Sequence, residues 1–331
     1  MDNLTHTAVG LFLSRIGLKA WTPRATAILL LAANAPDIDI LAAPGGAVDY
    51  LHYHRHFTHS LAALPLMAIL PVAVVHFTGK QPVRWLQAWI AAMIAVLTHL
   101  LLDWTNIYGT RLLLPFSSRW LRLDITNVVD VWIWGICLLA ILGPVITRLV
   151  GSEISSGSEK VTHPGRGFAW FALAFILVYN GGRSVLHARA VEVLDSRIYQ
   201  GAQPLRAAAF PDSFHPLRWT GLVETQDFWA TGPVDLLGEF DPTRVTILHK
   251  PAPEPAIDAA RATRTFQEFL RFAQFPQWRV TPVPVPENGR LVQLFDLRFG
   301  RPPNAAFVAE ATVDQRMQIT EEELHIRPRP R

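Results

Sequence analysis

His99 and Asp103 stand at i and i+4 in a Leu-rich stretch. On a helix that spacing puts an imidazole and a carboxylate on one face. Two further clusters carry the same residue types. Pro36-Asp37-Ile38-Asp39 brings paired aspartates, and His52-Tyr53-His54-Arg55-His56-Phe57-Thr58-His59-Ser60 holds four histidines within eight residues. Imidazole nitrogen and carboxylate oxygen suit zinc, manganese or iron. A divalent metal held by such a set can make water a nucleophile near neutral pH, which is hydrolytic chemistry.

Each cluster also has a plain structural reading. A lone His99–Asp103 pair serves equally as a structural hydrogen bond. Asp37 and Asp39 share a face on a strand but not on a helix, and either could cap a turn. Pro36 favours an extended Ala35. His52 and His56 are at helical spacing. His54 and His59 are five apart and meet only if the segment is not regularly helical. Arg55 could neutralise a substrate phosphate or fix a ligand carboxylate. His6, in Leu4-Thr5-His6-Thr7, is by itself more often structural. His76, His163 and His187 lack partners in sequence and read as interfacial. There is no Gly-rich phosphate loop and no G-x-S-x-G nucleophile elbow.

The elements that position these residues are apolar. Of 331 residues, 50% are hydrophobic and 17% charged, against about 25% charged in ordinary soluble domains. The shortage is local. Residues 1–190 hold 14 Lys/Arg and 9 Asp/Glu, whereas residues 191–331 hold 16 and 18. Nine of the twelve histidines lie in the charge-poor part. Stretches 61–77, 86–102, 128–150 and 168–186 are each near the roughly 20 residues that cross a bilayer. Tryptophans 85, 89, 104, 132, 134 and 170 stand towards their ends, as in interfacial belts. Stretch 25–43 is apolar but broken by Pro36, Asp37 and Asp39, which predicts a half-inserted helix. Residues 4–18 read as an amphipathic helix. No cleaved signal peptide is expected, because Arg15 and Lys19 follow the first apolar stretch.

Four crossings put residues 1–60, loop 104–127 and the tail on one membrane side, so the histidines and aspartates can converge without carrying charge across the bilayer. Lysine and arginine placement leaves the orientation open. Transport is disfavoured, because the third and fourth spans carry few ionisable residues. A net charge of +3 without a basic block gives no support for nucleic-acid binding. The single cysteine, Cys137, excludes an internal disulfide framework and a Cys-type zinc site.

After residue 190 the texture becomes that of a soluble domain. Residues 245–248 and 291–297 read as strands and 257–275 as one amphipathic helix. Pro282, Pro284 and Pro286 mark a loop or linker. The expected architecture is an all-α polytopic membrane domain over 1–190, with about four transmembrane helices plus N-terminal interfacial helices. A small soluble α+β domain over 191–331 follows it. The tail carries no His/Asp cluster, so it is expected to select substrate or bind a protein partner rather than perform chemistry.

At Thr5-His6, Pro36-Asp37-Ile38-Asp39, His54-Arg55-x-x-Thr58-His59-Ser60 and His99-x-x-x-Asp103 followed by Asn106-x-x-Gly109, the chain resembles the membrane-bound metal-dependent hydrolases of the YdjM-like family. The resemblance covers residues 1 to about 115 and implies a bacterial inner-membrane protein with a polar metal site. On that likeness His6, Asp37, Asp39, His54, His59, His99 and Asp103 are metal ligands, whereas His52 and His56 are not carried over. The order of these residues is also distantly similar to zinc-dependent phospholipase C. The later His and Glu ligands of that enzyme are not evident. The reading is a metal-dependent hydrolase of a phosphoester or lipid-like ester at the membrane surface. Zinc is the first choice of metal, with manganese or iron as alternatives, and Arg55 and Asp103 are the catalytic candidates. Membrane lipids are its partners. The alternative reading is a non-enzymatic metal-binding regulatory or scaffold protein.

Overall fold

A computed structural model describes residues 1–154 and 165–326. His163 lies outside the described residues. Helix α1 (Asn3–Ile16) starts where the Asp2 carboxylate accepts the amides of Leu4 and Thr5. It stops at Gly17, whose φ of 149° few other residues adopt. Helix α2 (Ala25–Ala32) leads into a 3-10 segment, Ala35–Gly45, across a 46° bend. Ala35 is therefore in the helical segment and not extended. Helix α3 (Ala47–Tyr53) and the short 3-10 turn Phe57–His59 follow. Next come α4 (Leu64–Thr78), α5 (Trp85–Thr105), α6 (Val131–Ile154) and α7 (Arg166–Asp195).

Among the described residues, α5, the Val131–Val150 part of α6, and α7 are each long and apolar enough to cross a membrane. The count rises to 5 if each of two bent pairs is one span. The expected span 61–77 is the 15-residue α4, which is bent by 91° from the preceding Ala47–His59. At 1.5 Å per residue it reaches about 22 Å, short of the hydrocarbon core by itself.

The chain divides into two compact units. The first comprises Met1–Asp39, Arg55–Arg189 and Pro211–Arg218. Its core is built on close helix approach. Ala88, Ala91, Ala92 and Ala95 form a fully buried stripe along α5, and α5 packs on α1, α2 and α4. Small residues let helices approach where apolar burial alone gives no preference between protein and lipid. Gly10 does the same between α1 and α2, since a Cβ there would lie 2.8 Å from the Leu29 carbonyl oxygen. Phe12 of α1 is fully buried in this core.

The second unit comprises Ile40–His54, Ala190–Phe210 and Trp219–Arg331. Strands β1 (Arg206–Pro211), β2 (Arg218–Glu224), β3 (Phe228–Asp235) and β4 (Thr246–His249) form one sheet in sequence order. Strands β5 (Pro276–Val283), β6 (Gly289–Asp296), β7 (Val308–Val313) and β8 (Ile319–His325) form a second, antiparallel sheet. The single helix expected over 257–275 is two, α8 (Pro255–Arg261) and α9 (Arg264–Phe272). The break falls where the Thr263 hydroxyl caps α9 by accepting the Phe266 amide. Pro282 is not in a linker but in β5, an edge strand, where a missing N–H costs little.

Candidate metal centre

Asp37, His59, His99 and Asp103 each offer one ligand atom to a cluster in which all four atoms lie within 4.8 Å of one another. They come from three elements. Helix α5 holds His99 and Asp103 one turn apart, both buried. The 3-10 segment after α2 supplies Asp37, and the turn before α4 supplies His59.

The tautomers follow from the outer partners. His99 Nδ1 lies 2.8 Å from the Ala33 carbonyl oxygen, which only accepts, so this nitrogen carries the proton. His59 Nδ1 lies 3.2 Å from Asp39 Oδ2 and 3.1 Å from the Thr58 hydroxyl, and a proton on this nitrogen would leave Nε2 free to ligate. The two Nε2 atoms face each other at 3.2 Å, and with both Nδ1 atoms protonated each would present a lone pair. Around them, His59 Nε2 is 3.4 Å from Asp37 Oδ1 and 3.3 Å from Asp103 Oδ2. His99 Nε2 is 3.7 and 3.4 Å from the same oxygens. Asp103 Oδ2 is buried without a hydrogen-bond donor.

With the histidines in that tautomer, four acceptors turned towards one point repel each other unless a cation lies there. Ligand atoms about 2.0–2.1 Å from a tetrahedral zinc lie about 3.3–3.4 Å apart. The separations here are close to those edges, so the residues fit a divalent metal.

Their support is equally specific. Asn3 donates to Asp37 Oδ2 at 2.8 Å, turning Oδ1 towards the histidines. Arg55 Nη2 holds Asp103 Oδ1 at 3.1 Å, and the Met1 amino group contacts the same oxygen. Arg55 Nη1 reaches Asn106 Oδ1 and the Gly109 carbonyl, each at 3.2 Å. The Asn106-x-x-Gly109 motif is thus a turn: Asn106 Oδ1 accepts the Tyr108 amide at 2.9 Å, and Gly109 takes a φ of 84°. Arg55 itself adopts a φ of 54°, held by its amide donating to Asp39 Oδ2 at 2.7 Å.

Not all seven expected ligands stand together. Asp39 reaches His59 Nδ1 and sits behind the cluster, as outer carboxylates do in metal sites. His6 stacks on His99 at 3.7 Å, with Nε2 3.5 Å from Asp103 Oδ1. Neither His6 ring nitrogen makes a hydrogen bond, and burial holds its pKa well below the usual value. His54 caps α3, stacks on Tyr50 and belongs to the second unit. The two catalytic candidates, Arg55 and Asp103, pair with each other.

Sequence reasoning passed over Asn3, Asn34 and the Ala33 carbonyl. Asn3 stands three residues before His6, a helical spacing that does place both on one face of α1. A cleft of about 330 Å³ opens beside Asp37. Asn3, Asn34 and Asp37 give it a polar end, and Leu31, Leu70 and Val74 an apolar flank.

The YdjM inner membrane protein family matches residues 1–190, and the YfhP C-terminal alpha/beta plait domain matches residues 255–327. The chain is 28% identical over 326 residues to the uncharacterized protein YfhP of Bacillus subtilis (strain 168), covering 93% of this chain and 90% of that protein. No solved structure matches. The likeness to zinc-dependent phospholipase C finds no support in these matches.

Proposed function

The chain belongs to the YdjM inner membrane protein family and is an integral inner-membrane protein, and from that premise we propose that it is a metal-dependent hydrolase of a phosphoester or lipid-like ester. The observation that carries the reading is the convergence of Asp37, His59, His99 and Asp103, with the histidine Nδ1 atoms turned outward to Asp39 and the Ala33 carbonyl. Zinc is the first choice by donor type and spacing, with manganese and iron next. A bound divalent metal supplies Lewis acidity and acidifies water.

The protein's own residues do the rest. Asp39 and the Ala33 carbonyl keep the imidazoles in the ligating tautomer. Arg55 holds the Asp103 carboxylate in place and offsets its charge. The cleft beside Asp37 supports an amphiphilic substrate. Its polar end would take the ester, and Leu31, Leu70 and Val74 would lie along an apolar chain.

One observation favours the second reading, a metal-binding regulatory or scaffold protein. Four protein donors are the number found in closed structural sites, whereas catalytic zinc sites usually keep three and leave a position open. A single experiment separates the two. Purified protein loaded with zinc is assayed on phospholipid in mixed micelles and on a soluble phosphate ester, wild type beside Asp103→Ala. Metal-dependent turnover lost in Asp103→Ala supports the hydrolase. Stoichiometric zinc without turnover on any ester supports the second reading.

A further inference from the structure

The chain leaves the first unit directly after Asp39 and rejoins it at Arg55. Everything between, Ile40–His54, belongs to the second unit. The two ends of this excursion are the residues that build the metal centre. Asp37 and Asp39 stand at its entry, Arg55 and His59 at its exit. Its neck is closed by the Arg55 amide donating to Asp39 Oδ2 at 2.7 Å.

Within the second unit the excursion is gripped by α9. His52 Nδ1 of α3 lies 2.9 Å from Glu268 Oε2, and Glu268 is also held by Arg271. Asp49 pairs with Arg264. The two contacts have opposite polarity, acid to base and then base to acid, so they set both the register and the direction of α3 against α9. Asp49 and His52 are three apart, and Arg264 and Glu268 four apart, which puts each pair on one helix face. The other face of α9 carries buried Phe266, Phe269 and Phe272, so α9 is itself anchored. Leu51 of α3 is 2% exposed.

We propose that α9 of the C-terminal domain is a positioning element for the metal centre, with Arg264 and Glu268 holding the excursion whose two ends carry Asp37, Asp39, Arg55 and His59. The inference rests on the metal reading of that site. The physical reason is preorganisation. A long loop must be closed at its neck, and fixing its far end removes conformations that would splay the ligands. Ligand positions matter to within about 0.5 Å. The C-terminal domain thus contributes to the centre without supplying a ligand, a role beyond the substrate selection or partner binding expected of it from sequence.

The test uses the full chain in detergent, with Arg264→Ala/Glu268→Ala beside wild type. Two readouts are taken: amide hydrogen exchange over residues 55–60, and zinc affinity by competition titration. Two partly exposed pairs together are worth about 1 kcal/mol, so exchange about fivefold faster and zinc binding about fivefold weaker are expected. The charge swap Asp49→Arg/Arg264→Asp should keep both near wild type, which a general loss of stability would not do. Exchange over 55–60 unchanged in the double variant overturns the inference, whatever the metal result. If wild type binds no zinc but exchange responds, the metal reading fails and the positioning role of α9 stands. If wild type binds zinc and neither readout responds, the positioning role fails and the metal reading stands.

Discussion

His59 Nε2 and His99 Nε2 face each other at 3.2 Å across 40 residues of sequence. Their Nδ1 atoms turn outward, to Asp39 and to the Ala33 carbonyl. Two imidazole nitrogens at that distance, walled by the oxygens of Asp37 and Asp103, form a site that could hold a cation.

His99→Ala and Asp103→Ala should therefore abolish stoichiometric zinc binding, while His54→Ala should retain it. The contrast arises because His54 stacks on Tyr50 away from the cluster. Elemental analysis of the three purified variants beside wild type checks this. Metal loss in His54→Ala would contradict the placement.

Asp39→Ala should weaken zinc binding by about 10–100-fold without abolishing it, the usual cost of losing an outer-shell partner. Removal of this carboxylate frees the His59 tautomer and the neck contact with Arg55 together. A competition titration giving wild-type affinity would show that Asp39 does not orient His59.

Gly10→Ala should destabilise the membrane unit by about 1–3 kcal/mol, the cost of overpacking, even though alanine is the better helix former. The added Cβ would meet the backbone oxygen of Leu29 at 2.8 Å, which cannot swing away. Denaturant unfolding in detergent measures it. A stabilised variant would mean that α1 and α2 can separate at no cost.

Single cysteines at position 56 and at the exposed position 113, in a Cys137→Ser background, should label from the same membrane side, and one at position 82 from the other. The Leu61 amide bonds the Leu112 carbonyl at 2.9 Å, and Arg55 reaches Gly109, so both segments share one end of the α4–α5 pair. Opposite labelling of 56 and 113 would overturn this arrangement.

Local pattern alone determined much of this protein. Twenty-residue apolar runs have few ways to be satisfied outside a bilayer, so α5, α6 and α7 were legible from composition. The His99–Asp103 pair was legible because a helix turns 3.6 residues whatever surrounds it. The change of texture after residue 190 falls where the helices give way to the two four-stranded sheets. The split of 257–275 into two helices turned on one capping hydroxyl, Thr263, which hydrophobic spacing does not register.

Tertiary structure decided which loop residues join the Asp/His cluster. Asp37 and Asp39 are chemically alike and two apart. The 3-10 backbone and the position of His59 send one to Nε2 and the other to Nδ1. His54 and His59 share one short stretch, yet the neck between Asp39 and Arg55 puts one inside the site and the other on α3. The attachment of Ile40–His54 to the C-terminal domain leaves no local trace, because its cause is the match between Asp49 and His52 and two side chains more than 200 residues away. Spacing along a chain sets direction only where the backbone is regular. In irregular segments the partner sets it, and the partner is a property of the fold.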